Sequence, residues 1–98
     1  MAVEVEITRE DAPQGGRYVA KAPGGEGELS YRRTASGNLL ANHTGVPHAL
    51  RGQGIAEKLV ERLVLDARAG GYKVVPVCSY VVAQRKRHPE WADAFADG

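Results

Sequence analysis

Two closely spaced glycines beside an arginine form the stretch of this chain best suited to chemistry. The stretch reads Arg51, Gly52, Gln53, Gly54, Ile55 and Ala56. It lies between a strand-like run at 39–46 and the longest amphipathic segment of the chain. Glycines at such a junction permit a sharp turn, and the first N–H groups of the following helix have no partner within it. Because the helix dipole and Arg51 add positive charge there, the stretch predicts a site for a phosphate or pyrophosphate group.

The two glycines have three other interpretations, of which two fail on the sequence. A dinucleotide-binding loop requires a third glycine at the position of Glu57, and it also requires a parallel sheet. The phosphate loop of nucleoside triphosphatases requires Gly-Lys followed by Ser or Thr, which this sequence lacks. A tight turn with a purely structural purpose stays open on the residue pattern alone.

Three side chains of the chain could move protons or form a covalent bond: His43, Cys78 and Tyr80. Histidine suits a general base near neutral pH, but His43 follows Leu39 and Ala41 on one strand face and is equally well interpreted as partly buried. Cys78 stands before a helix start, where a thiol either packs as a small apolar group or gains reactivity. Tyr80 is also compatible with simple packing under a helix. The histidines and the cysteine show no metal-ligand spacing, so no metal is predicted.

The elements that must position these residues begin with strands. Apolar and polar residues alternate with period two in four short runs, at 3–8, 17–21, 28–33 and 39–46. Residues 11–16 between the first two runs are predicted to form a turn. Connections this short favour an antiparallel meander, because parallel pairing needs longer crossovers.

The second half of the chain changes to a helical period. Apolar residues in 54–69 form a broad stripe at helical spacing, and Gly70 and Gly71 supply a left-handed stop. A buried strand is predicted at 73–78, where Pro76 marks a place at which strands separate. A second helix is predicted at 79–87 with Ser79 as its N-cap, followed by a short helical turn from residue 89 that Trp91 and Phe95 anchor. The fold class is therefore α+β, an antiparallel β-meander followed by a β-α-β-α unit.

Composition sets limits on the class of protein. The chain has 98 residues, which suits one domain over 1–98, and its formal net charge is +1. That balance gives no electrostatic indication of a nucleic acid or an anionic membrane as partner. The first residues do not resemble a signal peptide, and no apolar run approaches the length of a membrane span. The single cysteine excludes an internal disulfide, so a cytoplasmic location is expected.

Several spaced motifs together resemble the GNAT N-acetyltransferase superfamily, and most closely its short single-domain members. The loop at 51–56 is similar to the Q/R-x-x-G-x-G/A acyl-CoA signature of that superfamily. The further motifs that carry the resemblance are His43-Thr44-Gly45-Val46-Pro47, Pro76-Val77-Cys78-Ser79-Tyr80-Val81 and His88-Pro89-Glu90-Trp91. The resemblance covers nearly the whole chain and implies a minimal GNAT-like fold with splayed fourth and fifth strands.

The resemblance implies acetyl-CoA as co-substrate and an amine as acceptor, whether a protein, a peptide or a small molecule. The backbone amides from Gly52 to Ala56 would then hold the coenzyme A pyrophosphate. Backbone groups of Thr44, Gly45 and Val46 would pair with the pantetheine arm. Tyr80 is similar in location to a tyrosine that protonates the leaving thiolate in larger members, and transfer through the thiol of Cys78 ranks below direct transfer. The basic run 85–88 is interpreted first as a solvated helix end, and second as a contact for the 3′-phosphate.

The chain departs from the larger members of the superfamily in one respect. They carry a pair of helices between the first two strands, which shapes the acceptor cleft, whereas 11–16 leaves room only for a turn. The open acceptor side suits a protein or polyamine amine, or a partner that completes the site. It also motivates an alternative function, a non-catalytic interaction or sensor module that binds acyl-CoA.

Overall fold

The period-two runs of the first half pair into a sheet in the order of the sequence. The computed structural model describes residues 5–50 and 52–96. Neighbouring strands are antiparallel from the first to the fourth, while the fourth and fifth are parallel. The strands are β1 (Glu6–Ala12), β2 (Gly15–Ala22), β3 (Gly25–Arg33), β4 (Leu39–Gly45) and β5 (Val74–Pro76). The α+β class and the meander followed by a β-α-β-α unit are confirmed.

Two α-helices and two short 3₁₀ helices complete the fold of the described residues. Helix α1 connects β4 to β5, and its apolar stripe packs on β2 and β3. Helix α2 follows β5 and contacts α1, β4 and the last 3₁₀ helix. Their bounds are α1 (Ile55–Gly70), α2 (Ser79–Arg87) and the 3₁₀ helices His48–Leu50 and Pro89–Ala94. In the described part of the chain no helix is long and apolar enough to cross a membrane.

The core lies between the sheet and α1, as the two periodicities require. Leu29 and Tyr31 of β3 and Leu39 and Ala41 of β4 are buried on the inner face of the sheet. The buried residues of α1 are Ile55, Leu59, Val60, Leu63, Val64 and Ala67. Trp91 and Phe95 are also buried, which confirms the predicted anchor of the C-terminal turn. Phe95 forms a parallel bridge with Val74, so this anchor covers the edge of β5 that does not pair with β4.

The turn predicted at 11–16 is wrong in extent. The ladder between β1 and β2 continues to Asp11 opposite Gly16 and Ala12 opposite Gly15, so only residues 13–14 connect the strands. Both of these strand positions require glycine. A Cβ on Gly15 would collide with the carbonyl of Tyr31, and a Cβ on Gly16 would collide with a carbonyl of β1. Glycine serves here for close approach and not for a turn.

The helix ends also differ in detail from the predictions. Gly71 alone is the left-handed C-cap of α1, with φ 73°, and Gly70 is the last helical residue. Ser79 is the first residue of α2, and the N-cap is Cys78, which makes no side-chain capping hydrogen bond. The predicted N-cap at Ser79 is therefore wrong by one residue. As a result the thiol, and not the hydroxyl, lies at the start of α2.

A polar network braces the end of the sheet formed by β1. The guanidinium of Arg9 donates to the hydroxyls of Tyr31 and Tyr72, at 3.0 and 3.2 Å, and pairs with Asp66 of α1. The hydroxyl of Tyr18, which is fully buried, donates to the same carboxylate at 2.6 Å. Burial and this hydrogen bond raise the pKa of Tyr18 well above its usual value. The network joins β1, β2 and β3 to α1, and its polar groups form hydrogen bonds with one another in place of hydrogen bonds with water.

Candidate functional site

A cleft of about 670 Å³ opens where β4, α1 and α2 meet. This volume lies within the range of small-molecule sites. Seven of the nine residues predicted to bind the cofactor line it: Thr44, Gly45, Val46, Gly52, Gly54, Ile55 and Ala56. Gln53 is exposed beside the cleft but is not part of its lining. Arg51 lies outside the described residues, so its predicted role stays a prediction.

The glycine loop presents the start of α1 to this cleft. Gly52 has φ 82° and Gly54, the N-cap of α1, has φ 74°, both in the left-handed region. A Cβ on either glycine would meet no atom within 4 Å, so the backbone conformation, and not crowding, requires glycine. The carbonyl of Gly54 accepts the first helical hydrogen bond from the N–H of Lys58. Since Ile55, Ala56 and Glu57 all line the cleft, the positive end of the helix dipole faces it.

The end of β4 forms a second wall because β5 separates from it. The parallel ladder between these strands ends at Ala41, paired with Pro76. Beyond it the N–H groups of Val77 and Cys78 both donate to the carbonyl of Ala41, at 3.2 and 2.9 Å. The remainder of β4 pairs with β3 alone among the strands, as far as Gly45. The splayed fourth and fifth strands are thus present, and Pro76 stands at the point of separation.

A β-bulge in β4 changes the orientation of His43. Ser30 of β3 pairs with His43 and Tyr31 pairs with Ala41, so Asn42 is the extra residue. The bulge interrupts the alternation of side chains, and His43 therefore shares the outer face of the sheet with Ser30 instead of the inner face with Ala41. His43 is exposed and lies among the residues that line the cleft. The interpretation of His43 as partly buried is wrong, and its role as a general base stays a prediction.

Cys78 lies behind the cleft wall, in a setting that favours the thiolate. Its Sγ is 3.6 Å from the hydroxyl oxygen of Thr44, a residue that lines the cleft. Burial raises the pKa of the thiol, but the contacts of its sulfur with Thr44 and with the backbone at Val81 and Tyr80 outweigh that effect, so the pKa of Cys78 lies below its usual value. These contacts follow from the position of Cys78 as the N-cap of α2. The chemistry available at this place includes nucleophilic attack by sulfur.

Tyr80 lines the cleft and carries a hydrogen bond that the sequence did not indicate. The amide Nε2 of Gln84, one helical turn along α2, donates to the Tyr80 hydroxyl at 3.1 Å. Burial raises the pKa of the phenol, the carboxylate of Glu57 raises it further and Arg87 lowers it, with a net increase. The phenol is therefore protonated near neutral pH and able to donate a proton.

Glu57 and Arg87 are cleft residues that pattern reasoning missed or ranked second. Glu57 lines the cleft and lies 3.6 Å from Nε2 of His88. Arg87, in the basic run, also lines the cleft, which brings a positive charge to it. His88 is stacked on Trp91 with 3.9 Å between ring centroids. Spacing alone could not pair α1 with the end of α2, because their contact depends on how α2 turns back.

The position of the glycine loop, the splayed strands and the order of the elements agree with a known family. A model of the GCN5-related N-acetyl-transferase family matches residues 17–94. The chain belongs to this family. The match confirms the resemblance that the spaced motifs indicated, and the family supports a general acyl-transfer role. A search of curated proteins finds no match.

The GNAT family generally uses acetyl-CoA as co-substrate, and the cleft can be compared with that requirement. The pyrophosphate of such a ligand needs N–H donors and positive charge, which the start of α1 and Arg87 provide. Its extended pantetheine arm needs a strand edge, which β4 provides beyond Ala41. Among residues 5–50 and 52–96, no group of three or more His, Cys, Asp or Glu side chains is arranged to hold a metal ion.

Proposed function

We propose that this GNAT protein binds acetyl-CoA in the cleft and transfers the acetyl group to a primary amine. The observation that carries the proposal is that a left-handed glycine loop at the start of α1 and the separated end of β4 line one cleft. One wall offers helix N–H groups and the other a strand edge, which are the two surfaces that a pyrophosphate and an amide-containing arm require. Family membership supports the same reaction class.

In this proposal the backbone amides from Gly52 to Ala56 bind the pyrophosphate, and Arg87 adds charge for a phosphate group. The pantetheine arm lies along Thr44, Gly45 and Val46 as an added piece of strand. The thioester then lies toward Tyr80, which lines the cleft. Residue Leu50, which is 2 % exposed and lines the cleft, adds apolar surface for the arm.

The acceptor first loses the proton of its ammonium form, for which His43 is the candidate base, and the neutral amine nitrogen then attacks the thioester carbonyl. A second proton leaves the nitrogen as the amide forms. The C–S bond breaks as the C–N bond becomes an amide, and the coenzyme A sulfur leaves with the electron pair. Tyr80 donates its phenolic proton to that sulfur as general acid. In the covalent alternative the thiolate of Cys78 attacks first and the amine attacks the resulting acyl-cysteine. The direct route is preferred, because Tyr80 lines the cleft whereas Cys78 lies behind Thr44.

Isothermal titration with acetyl-CoA, combined with a thiol-release assay over amines, peptides and polyamines, tests the proposal. Binding together with amine-dependent release of free coenzyme A is the expected result. Absence of binding at millimolar acetyl-CoA would refute both the enzyme and any acyl-CoA-binding alternative.

The second candidate function, a non-catalytic acyl-CoA-binding module, is favoured by one observation. The connection between β1 and β2 has only residues 13–14, so no helical pair covers the acceptor side at that point. This module predicts tight binding with thiol release no faster than in protein-free buffer. The same two assays therefore separate the candidates.

A further inference from the structure

Gln84 is an unusual residue on the buried face of α2. It is 2 % exposed, and in the described part of the chain it is the one buried amide or charged side chain. Tyr80 lies one helical turn before it, toward the N-terminus of α2. Burial of an amide is unfavourable unless both of its polar ends find partners, and an apolar residue would pack a helix face at lower cost.

The amide is satisfied at one end only, and that end serves Tyr80. Nε2 donates to the phenol oxygen at 3.1 Å, while Oε1 has no hydrogen-bond partner among the described residues. The unpartnered oxygen means that Gln84 makes no compensating contact elsewhere in the described core. Its one hydrogen bond therefore goes to the side chain that lines the cleft.

The direction of this hydrogen bond determines where the Tyr80 proton can go. Because the phenol oxygen accepts from Gln84, its own O–H is not used in that bond and is available toward the cleft. We propose that Gln84 is a positioning residue, which holds the Tyr80 hydroxyl with its proton directed at the leaving sulfur of the acyl donor. This inference rests on the proposed acetyl transfer and assigns one residue to its last proton step.

The C–S bond breaks, the coenzyme A sulfur takes the electron pair and the phenol proton, and Tyr80 becomes a phenolate. The Nε2–H of Gln84 then donates to an anionic oxygen, a stronger hydrogen bond than the one it makes to the neutral phenol. The proton released by the amine returns to the phenolate through solvent. Gln84 thus stabilises the charge that develops on Tyr80 without carrying charge itself.

The charged groups around the phenol make such a donor useful. The carboxylate of Glu57 on α1 opposes formation of the phenolate, whereas Arg87 on α2 favours it. Burial also opposes it, and together these effects raise the pKa of Tyr80 above its usual value. A fixed neutral donor partly offsets that opposition at the oxygen atom itself.

A double-mutant cycle between Gln84→Met and Tyr80→Phe tests the proposal. Methionine keeps the length and volume of the side chain and removes the donor. In the wild-type background Gln84→Met is expected to lower kcat by about tenfold with acetyl-CoA affinity unchanged, and in the Tyr80→Phe background it should have no effect on kcat. Thermal unfolding should occur at the same or a higher temperature, since an unpartnered buried amide is removed. Equal losses of kcat in both backgrounds, or no loss in either, would overturn the proposal.

A second measurement does not depend on turnover. The protein is labelled with 3-fluorotyrosine, and the Tyr80 resonance is identified in ¹⁹F spectra by its absence from Tyr80→Phe. Loss of the donor in Gln84→Met should raise the pKa of the Tyr80 phenol, because the phenolate loses a hydrogen bond. A pKa that is unchanged or lower would overturn the proposal, since it would mean that Gln84 accepts from the phenol or does not bond to it. Absence of thiol release by the wild type would instead refute acetyl transfer, and the titration would still show whether Gln84 donates a hydrogen bond to Tyr80.

Discussion

Two glycines at opposite ends of α1 provide a matched pair for testing the anion site. Gly54, at the N-terminus, has φ 74° and ψ 16°, and Gly71, at the C-terminus, has φ 73° and ψ 23°. At both positions a Cβ would meet no atom within 4 Å. Alanine at either position therefore costs the same left-handed backbone strain, about 1–2 kcal/mol, with no added collision.

The two variants should lose similar stability but differ in ligand affinity. For a domain of this size about 1 kcal/mol lowers the melting temperature by roughly 4–8 °C, so both Gly54→Ala and Gly71→Ala should melt several degrees below the wild type. Only Gly54→Ala changes the loop that faces the cleft. Loss of one charge-assisted hydrogen bond to the pyrophosphate is worth about 1.5–3 kcal/mol, which corresponds to roughly 10- to 150-fold weaker binding.

The assay is isothermal titration of both variants with acetyl-CoA, with thermal unfolding measured in parallel. Gly71→Ala should bind with wild-type affinity despite its lower melting temperature. Gly37→Ala, in the turn before β4 with φ 87° and open space around its Cβ, is a further control away from the helix. Equal affinities for Gly54→Ala and Gly71→Ala would refute the reasoning, because the phosphates would then bind away from the start of α1.

Three further predictions concern titrating and reactive groups. Tyr80→Phe should reduce thiol release by about 10²–10⁴-fold with little change in acetyl-CoA affinity, and an unchanged rate would exclude Tyr80 as the general acid. Cys78→Ala should lower turnover only modestly, and mass spectrometry of the wild type incubated with acetyl-CoA should show no acetylated Cys78; an adduct that reacts onward with an amine would establish the covalent route instead. Glu90, and to a smaller extent Glu57, raise the pKa of His88 in the folded protein. The interaction of protonated His88 with these carboxylates therefore stabilises the fold fully below the ordinary histidine pKa of about 6.5, and this stabilisation is lost as the pH rises through the higher folded-state pKa. The melting temperature should accordingly fall over that range in the wild type and fall less in His88→Gln, and parallel curves would contradict this linkage.

Much of the fold follows from local patterns. The period-two runs, the helical stripe of α1 and the glycine at its end depend on residues close in the sequence, and each has one conformation that buries its apolar atoms. The glycine loop at the start of α1 is recognisable for the same reason, since Gly52 and Gly54 mark a backbone turn and a helix start together. The sequence alone thus determined the order of the elements and the place of the glycine loop at the start of α1.

The tertiary structure decided the features that depend on distant residues. The bulge at Asn42, which moves His43 to the outer face, arises from pairing with β3 and has no local pattern of its own. Gly15 and Gly16 resemble turn residues until the backbone of β3 is placed beside Gly15 and that of β1 beside Gly16.

The arrangement of the side chains in and beside the cleft is likewise non-local. Cys78 contacts Thr44 because β4 and β5 separate at Pro76. Pro76 is 35 residues from Ala41 in the sequence, but the two residues are paired in the sheet. Glu57 faces the end of α2 because the helix packs back on α1. Periodicity specifies which face of an element is buried. The packing of one element on another specifies which side chains come into contact, and the candidate chemistry of this protein depends on those contacts.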